Sequence, residues 1–401
     1  MRRRILPLAL LSLQLLPPTP ASAGNVYAAR KVVGNLDHVA AFTFAPDGAI
    51  FFGERATGKI RVYDPSTKTK ALFFAIPNVV NDINSELGLL GLALHPDYPT
   101  TASLYAYTVR ALGGPYKIQL IRIDDTDGDG EGDEMQVIWK PSPDATSGGY
   151  HVGGRILFGP DGKLYVVVGD RGDPALAQDQ DSDRGKILRM SFSPDGTAVD
   201  ATSTYAYGVR NSFGLAFDPV KDRLWDTQNG PACNDELNRV TVADMPTNLA
   251  WGPSQTCSTP PEPPRNTNRD GPKPRNLPEV WWTPTIAPTG IAFCSSCDLN
   301  QAAEGAIFFG AFNDGKIRRV TLNAKATAAE SIQVVYTHSR QVLSVEAHPA
   351  TGRLYFTDGR TLYRLANPLS PQASAGTSPR TSVACAFLRS PADSGRSRPS
   401  R

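Results

Sequence analysis

Two short stretches hold residue types that can move a proton. His151-Val152-Gly153-Gly154-Arg155 precedes one apolar run, and Gly169-Asp170-Arg171-Gly172-Asp173 follows the next, Lys163 to Val168. If the two runs pair as a hairpin, the loop histidine and the turn aspartate meet at one end of it. An imidazole held through its second nitrogen by a carboxylate is a competent general base near neutral pH, suited to taking a proton from a hydroxyl. A structural histidine bonded to a turn aspartate accounts for the same residues, so the pair alone does not decide. A separate acidic run, Asp125-Thr126-Asp127-Gly128-Asp129-Gly130-Glu131-Gly132-Asp133, spaces Asp125, Asp127, Asp129 and Asp133 as a calcium loop spaces its first ligands. It lacks the closing Glu, with Gln136 in that place. A structural calcium site and a bare acidic hairpin tip both stay open.

The elements that must position these residues recur along the chain. A short apolar strand, a turn built on Pro-Asp or Asp-Pro, and a second apolar strand appear around Pro46, Pro96, Pro160, Pro219 and Pro349, with a worn copy from Ile291 to Phe309 that has lost its proline. The turn prolines lie 50, 64 and 59 residues apart, and the last interval of 130 is two units of 65. Third strands follow at Lys59 to Val62, Lys186 to Met190, Lys316 to Val320 and Leu362 to Leu365. Gly 35, Pro 34 and Met 4 favour many tight turns over long helices. These units predict an all-β fold, a six-bladed β-propeller of four-stranded antiparallel blades, which leaves no long sheet edge exposed. A β-sandwich would show shorter and more even spacing.

Net charge of +2 from 41 basic and 39 acidic residues scattered along the chain gives no electrostatic footprint for nucleic acid. Residues 1–23 read as a secretory signal: three arginines, an apolar run from Ile5 to Leu16 and Ala21-Ser22-Ala23, with cleavage expected after Ala23. The mature chain is expected to lack a membrane span and to be secreted or periplasmic. The propeller is assigned to 24–367. Residues 368–401, rich in Ser, Pro and Arg, carry too few apolar side chains to offset ordering entropy and read as a disordered tail. Five cysteines in an exported chain read as disulfide candidates, with Cys233–Cys257 and Cys294–Cys297 the preferred pairs. Residues 253–280 read as a long loop over one face.

Six ordered motifs between Val39 and Leu365 resemble the glucose/sorbosone dehydrogenase family. They are Glu86-Leu87-Gly88-Leu89-Leu90-Gly91-Leu92-Ala93-Leu94-His95-Pro96-Asp97, Gly154-Arg155-Ile156 through Gly169-Asp170, Gly185-Lys186-Ile187-Leu188-Arg189, Tyr207-Gly208-Val209-Arg210-Asn211 with Gly214-Leu215-Ala216-Phe217, Asn229-Gly230-Pro231 with Asn234-Asp235-Glu236-Leu237-Asn238, and Ala287-Pro288-Thr289-Gly290. The resemblance implies pyrroloquinoline quinone (PQQ) held with Ca2+ at the mouth of a six-bladed propeller, a sugar or polyol substrate and an external electron acceptor. It implies His151 as the base, Asp170 as the group that orients it, and Arg210 as the cation that polarises the quinone carbonyl, with Asn211 beside it. Glu86 occupies a substrate-facing position that is Gln in some members. Gly230 and Pro231 match backbone carbonyls that ligate the cofactor's calcium, and Asp235 and Glu236 match a second, structural calcium site.

One departure bears on the cofactor. The quinone carries three carboxylates, whose burial calls for fixed cations. The family's Lys position is Asn313 in this chain and its paired Arg positions are Gln341 and Leu343, with Lys316 and Arg340 nearby. A non-catalytic propeller that has lost the quinone site and acts as an extracellular binding module is therefore the competing reading. A calcium-dependent lactone hydrolase would need acidic and Asn ligands converging on the channel, a pattern these motifs do not follow.

Overall fold

The computed structural model describes residues 25–368, apart from 147, 194–195, 241–244, 256, 258–269, 273–275 and 277. The expected signal segment, the tail beyond Pro368 and much of the expected 253–280 loop lie outside the described residues.

Almost continuously buried second strands, partly exposed outer strands and turns that reverse the chain every few residues produce six antiparallel sheets. Blade 1 consists of Val39–Phe44, Ile50–Glu54, Lys59–Asp64 and Thr69–Ala75. Blade 2 is Leu89–Leu94, Ser103–Arg110, Tyr116–Asp124 and Glu134–Trp139. Blade 3 is Ile156–Phe158, Leu164–Val168, Lys186–Phe192 and Val199–Tyr207. Blade 4 is Ser212–Phe217, Leu224–Gln228, Asp235–Arg239 and Val280–Trp282. Blade 5 is Pro288–Phe293, Ile307–Ala311, Lys316–Leu322 and Ala329–Thr337. Blade 6 takes Ser344–Ala347, Leu354–Thr357 and Thr361–Ala366 from the C-terminal side and its outermost strand, Ala28–Gly34, from the N-terminal side.

The first strands of the blades touch in the cyclic order 1-2-3-4-5-6-1, which makes the six sheets a closed propeller. Two blades also carry a two-residue extra strand: Ala145–Thr146 beside blade 2, and Thr247–Asn248 parallel to the last strand of blade 3. Apolar cores lie between neighbouring blades. Tyr105, Tyr107, Val152, Leu164, Val166 and Leu188 join blades 2 and 3, while Val33, Val39, Phe42, Phe44, Ile50 and Leu362 join blade 6 to blade 1 and so close the ring. The repeated turn has a simple cause at Pro160-Asp161-Gly162: Gly162 adopts φ +70°, Gly162 N–H donates to Gly159 O at 3.0 Å, and Asp161 Oδ1 accepts from Lys163 N–H at 3.1 Å. Disulfides join Cys233 to Cys257 and Cys294 to Cys297, the expected pairing.

Candidate active site

Every loop that enters a first strand, and every turn that leaves a second strand, opens on the same mouth of the propeller. This topology brings Glu86, His151, Asp170, Arg210, Asn211 and the turn from Asn229 to Asn234 to one end.

His151 Nδ1 lies 2.8 Å from Asp170 Oδ1. The Asp170 side chain is 1% exposed and that of His151 19%. Asp170 Oδ1 also accepts Gly172 N–H at 2.8 Å, and Oδ2 accepts the Trp251 indole N–H at 2.7 Å. With all its donors accounted for by N–H groups, the carboxylate is an acceptor throughout, so the neutral ring donates from Nδ1 and keeps its lone pair on Nε2.

Glu86 ties three blades together. Its Oε2 accepts His151 N–H at 2.6 Å and Asn211 Nδ2–H at 3.0 Å, while Arg55 from blade 1 donates Nη1–H to Ser85 O at 2.6 Å and Leu87 O at 2.9 Å on either side of it. Burial raises the Glu86 carboxyl above its ordinary range, and the His151 N–H, the charges of His151 and Arg210, and the Asn211 amide act in the opposite direction. Arg210 donates Nη1–H to Asn229 O at 3.0 Å, and its guanidinium lies 5.5 Å from the Trp251 ring centroid. Burial lowers its pKa; Asp170, Glu86 and Asp235 oppose that shift. Its backbone N–H is taken by Gln228 Oε1 at 2.8 Å.

The turn at Gly230 is tight: a Cβ there would fall 1.9 Å from Cys233 O. Asp235 Oδ1 accepts Gly230 N–H at 2.8 Å, and Oδ2 accepts the N–H groups of Ile286 and Ala287 at 2.6 and 2.7 Å. Glu236 sits on the opposite face of the same strand, fully buried, with Gln228 Nε2 and Asn238 Nδ2 donating to Oε2 at 3.1 and 3.2 Å. Asp235 thus clamps the Gly230 turn to the entry of blade 5, and Glu236 takes side-chain donors inside blade 4. Burial pushes Glu236 up to about 8 and neighbouring Asp226 up to about 6.

Among the described residues, one group of three acidic side chains brings its ligand oxygens within 4.8 Å of one another: Asp125, Asp127 and Asp133. Asp129 stands outside it and instead accepts Glu131 N–H at 2.8 Å. This cluster caps the outer hairpin of blade 2, away from the first strands.

A tricarboxylated quinone needs a cation at its reacting end, hard oxygen donors for its calcium and fixed charges for its carboxylates. A half-buried, aromatic-backed guanidinium next to a carboxylate-held imidazole fits the reacting end of such a group, and backbone carbonyls at a constrained turn are hard donors suited to calcium. At the other side of the mouth, Asn313 is exposed and donates Nδ2–H to Thr285 O at 3.1 Å. Lys316 lies 3.4 Å from Asp314, and Arg340 is exposed. The residues thus fit the quinone end and meet the carboxylate end with fewer fixed charges than the family arrangement. Sequence reading missed Trp251, Gln228 and Arg55, none of which stands in a motif: Gln228 pairs with Ser212 across the blade 4 hairpin, Trp251 follows the short strand beside blade 3, and Arg55 reaches over from blade 1.

Six blades closed into a ring, with the His151–Asp170 pair and the half-buried Arg210 at one mouth, define a β-propeller with a polar site on one face. Residues 36–364 match the family described as glucose/sorbosone dehydrogenase, and the chain belongs to it. It is 30% identical over 323 residues to an uncharacterized protein of Synechocystis, covering 73% of this chain and 75% of that one. It is 28% identical over 256 residues to quinoprotein glucose dehydrogenase B of Acinetobacter calcoaceticus, covering 55% of this chain and about half, 51%, of that enzyme. The PQQ-bound form of an aldose sugar dehydrogenase from Streptomyces coelicolor superposes with a TM-score of 0.67 at 27% identity, over 87% of this chain and 99% of that one. Among the described residues no helix is long and apolar enough to cross a membrane.

Proposed function

We propose that this protein is an exported quinoprotein dehydrogenase that oxidises a hydroxyl of an aldose or polyol and passes the electrons to an external acceptor. The observation that carries this reading is the His151–Asp170 pair at 2.8 Å, set at the same mouth as the Trp251-backed Arg210. His151 Nε2 takes the hydroxyl proton. Asp170, anchored by Trp251 and Gly172, fixes the ring and stabilises the positive charge it gains. Glu86 accepts a second substrate hydroxyl while holding the His151 backbone. PQQ, when bound, would supply a two-electron hydride acceptor, so that the carbinol carbon becomes a carbonyl. Arg210 and Asn211 would hold the quinone end, and the carbonyls of Gly230 and Pro231 would hold its Ca2+; the fixed charge of Arg210 favours developing oxyanion character there. Asp125, Asp127 and Asp133 are the acidic group placed to take a structural calcium.

Reconstitution with PQQ and Ca2+, followed by dye reduction across aldoses and polyols, tests the reading. Turnover that disappears in a folded His151→Ala variant supports it. The neutral residues at Asn313, Gln341 and Leu343 favour a second reading, a binding module without quinone, and no quinone uptake at high micromolar cofactor would select it.

A further inference from the structure

The first strands of all six blades end at the same turn, so they align on Pro46, Pro96, Pro160, Pro219, Ser295 and Pro349. Three residues before that point stand Thr43, Ala93, Leu157, Ala216, Ala292 and Glu346, which line an axial cavity of about 730 Å3 on the side away from the site. Five residues before it stand Ala41, Gly91, Arg155, Gly214, Gly290 and Ser344. At this level the strands crowd together: a Cβ on Gly91 would lie 2.1 Å from Gly154 O, on Gly214 2.4 Å from Thr289 O, and on Gly290 2.4 Å from Val345 N. Five small residues thus leave the axis to one long side chain. Arg155 of blade 3 crosses it to Glu346 of blade 6, the blade diametrically opposite. Nη1 donates to Oε1 and Nη2 to Oε2, and Ser344 Oγ–H donates to Oε1 at 2.9 Å. The side chains are 11% and 13% exposed.

The segment that leads through Arg155 into the first strand of blade 3 is awkward. His151, Gly153 and Gly154 have φ of +55°, +69° and +115°, so three of four consecutive residues occupy the left-handed side of the map, where a histidine is strained. Local preference does not hold this shape; partners from blades 2 and 4 and from the hairpin partner in blade 3 do. Glu86 takes His151 N–H, the Tyr107 hydroxyl donates to Val152 O at 2.8 Å, Asn211 Oδ1 accepts Gly153 N–H at 3.4 Å, and Gly154 N–H pairs with Val167 O at 3.0 Å. Glu346 supplies the last anchor, and among these it alone comes from across the axis. A two-point guanidinium–carboxylate contact fixes angle as well as distance, which a single bond or an apolar contact would not.

We propose that Arg155 and Glu346 are positioning residues: an axial strut that sets the His151 loop against blade 6 and thereby holds the imidazole at the mouth. The consequence for turnover rests on His151 being the base, but the strut is testable without cofactor. In the apo protein, hydrogen exchange over 151–155 and the imidazole nitrogen resonances of His151, one of five histidines, are the readouts. Glu346→Ala is expected to accelerate exchange over 151–155 at least tenfold and to broaden or shift the His151 Nδ1 signal. Glu346→Gln, which can still accept one of the two guanidinium bonds, should stay within threefold of wild type. Asp314→Ala breaks the Arg318 pair within blade 5 and should leave 151–155 unchanged. Should Glu346→Ala fail to fold, Arg155→Lys, a point contact in place of the fork, carries the same expectation at about threefold or more. Exchange and ring signal that match wild type in Glu346→Ala, or faster exchange confined to blade 6, overturn the strut whatever happens to turnover. Lost turnover with both readouts intact would count against the strut and leave the base assignment standing.

Discussion

Replacing Asp170 with Asn removes one charge and forces a choice on the amide. With its oxygen in the Oδ1 place, the amide keeps the His151 and Gly172 N–H groups but turns its NH2 toward the Trp251 indole, another donor. Flipped, it satisfies Trp251, opposes Gly172 N–H, and presents a donor to His151 Nδ1, so that the ring must carry its proton on Nε2 and cannot act as base. Each orientation leaves a donor unmatched, at about 1–3 kcal/mol. Even the better orientation lacks the negative charge that stabilises the imidazolium. For charge centres about 4 Å apart in an effective dielectric of about 20, that interaction is about 4 kcal/mol, and about 2 at twice the dielectric. The rate of hydroxyl deprotonation should therefore fall about 30- to 1000-fold, read as kcat in dye-reduction assays of the PQQ- and Ca2+-loaded variant, with the sugar KM little changed and the melting temperature recorded in parallel. A folded Asp170→Asn protein with kcat within threefold of wild type would refute the role given to this pair.

Other residues give independent checks. Arg210→Lys keeps a charge but loses the planar group stacked on Trp251 and the geometry of its bond to Asn229 O; kcat should drop about 10- to 100-fold, and an unchanged kcat would remove Arg210 from the chemistry. Asn313→Lys restores a cation at the mouth and should tighten PQQ binding about tenfold in equilibrium titration, about 1.4 kcal/mol; equal affinity would mean that this position does not face the cofactor. Glu236, with its pKa pushed up to about 8 by burial, keeps a proton in the folded chain that the unfolded chain releases near 4.5. The folded state thus binds more protons across pH 4.5 to 8, so stability falls as pH rises through that window, and Asp226, at about 6, adds to the fall in its lower part. Melting temperature should decline from pH 5 to 8 in wild type and decline less in Glu236→Gln; identical slopes would place the titrating group elsewhere.

What the sequence disclosed and what it hid divide along a physical line. Inner strands and their turns were legible because their signals are local: apolar runs with β-branched residues, Pro-Asp turns, and glycine where φ is positive. The fourth strands were not. Thr69–Ala75, Val199–Tyr207 and Ala329–Thr337 lie at blade rims and carry runs of consecutive exposed side chains, so alternation, the usual mark of a strand, is absent. Ala28–Gly34 also escaped, with mostly half-buried side chains, and its pairing with Thr361–Ala366 across the whole chain has no local signature. The site behaves likewise. His151 and Asp170 stand 19 residues apart on one hairpin and could be paired by inspection, whereas Trp251 reaches Asp170 from 81 residues away and Glu346 reaches Arg155 from 191. Yet the last of these did leave a mark. Once the turn positions are aligned, Arg155 is the one large residue beside five small ones at its level, and Glu346 the one charge at the level below. That pattern means nothing in a linear chain, since small residues at strand starts have many causes. It acquires meaning only when the blades close into a ring of six, because only then do the third and sixth positions face each other across an axis that the other four leave empty.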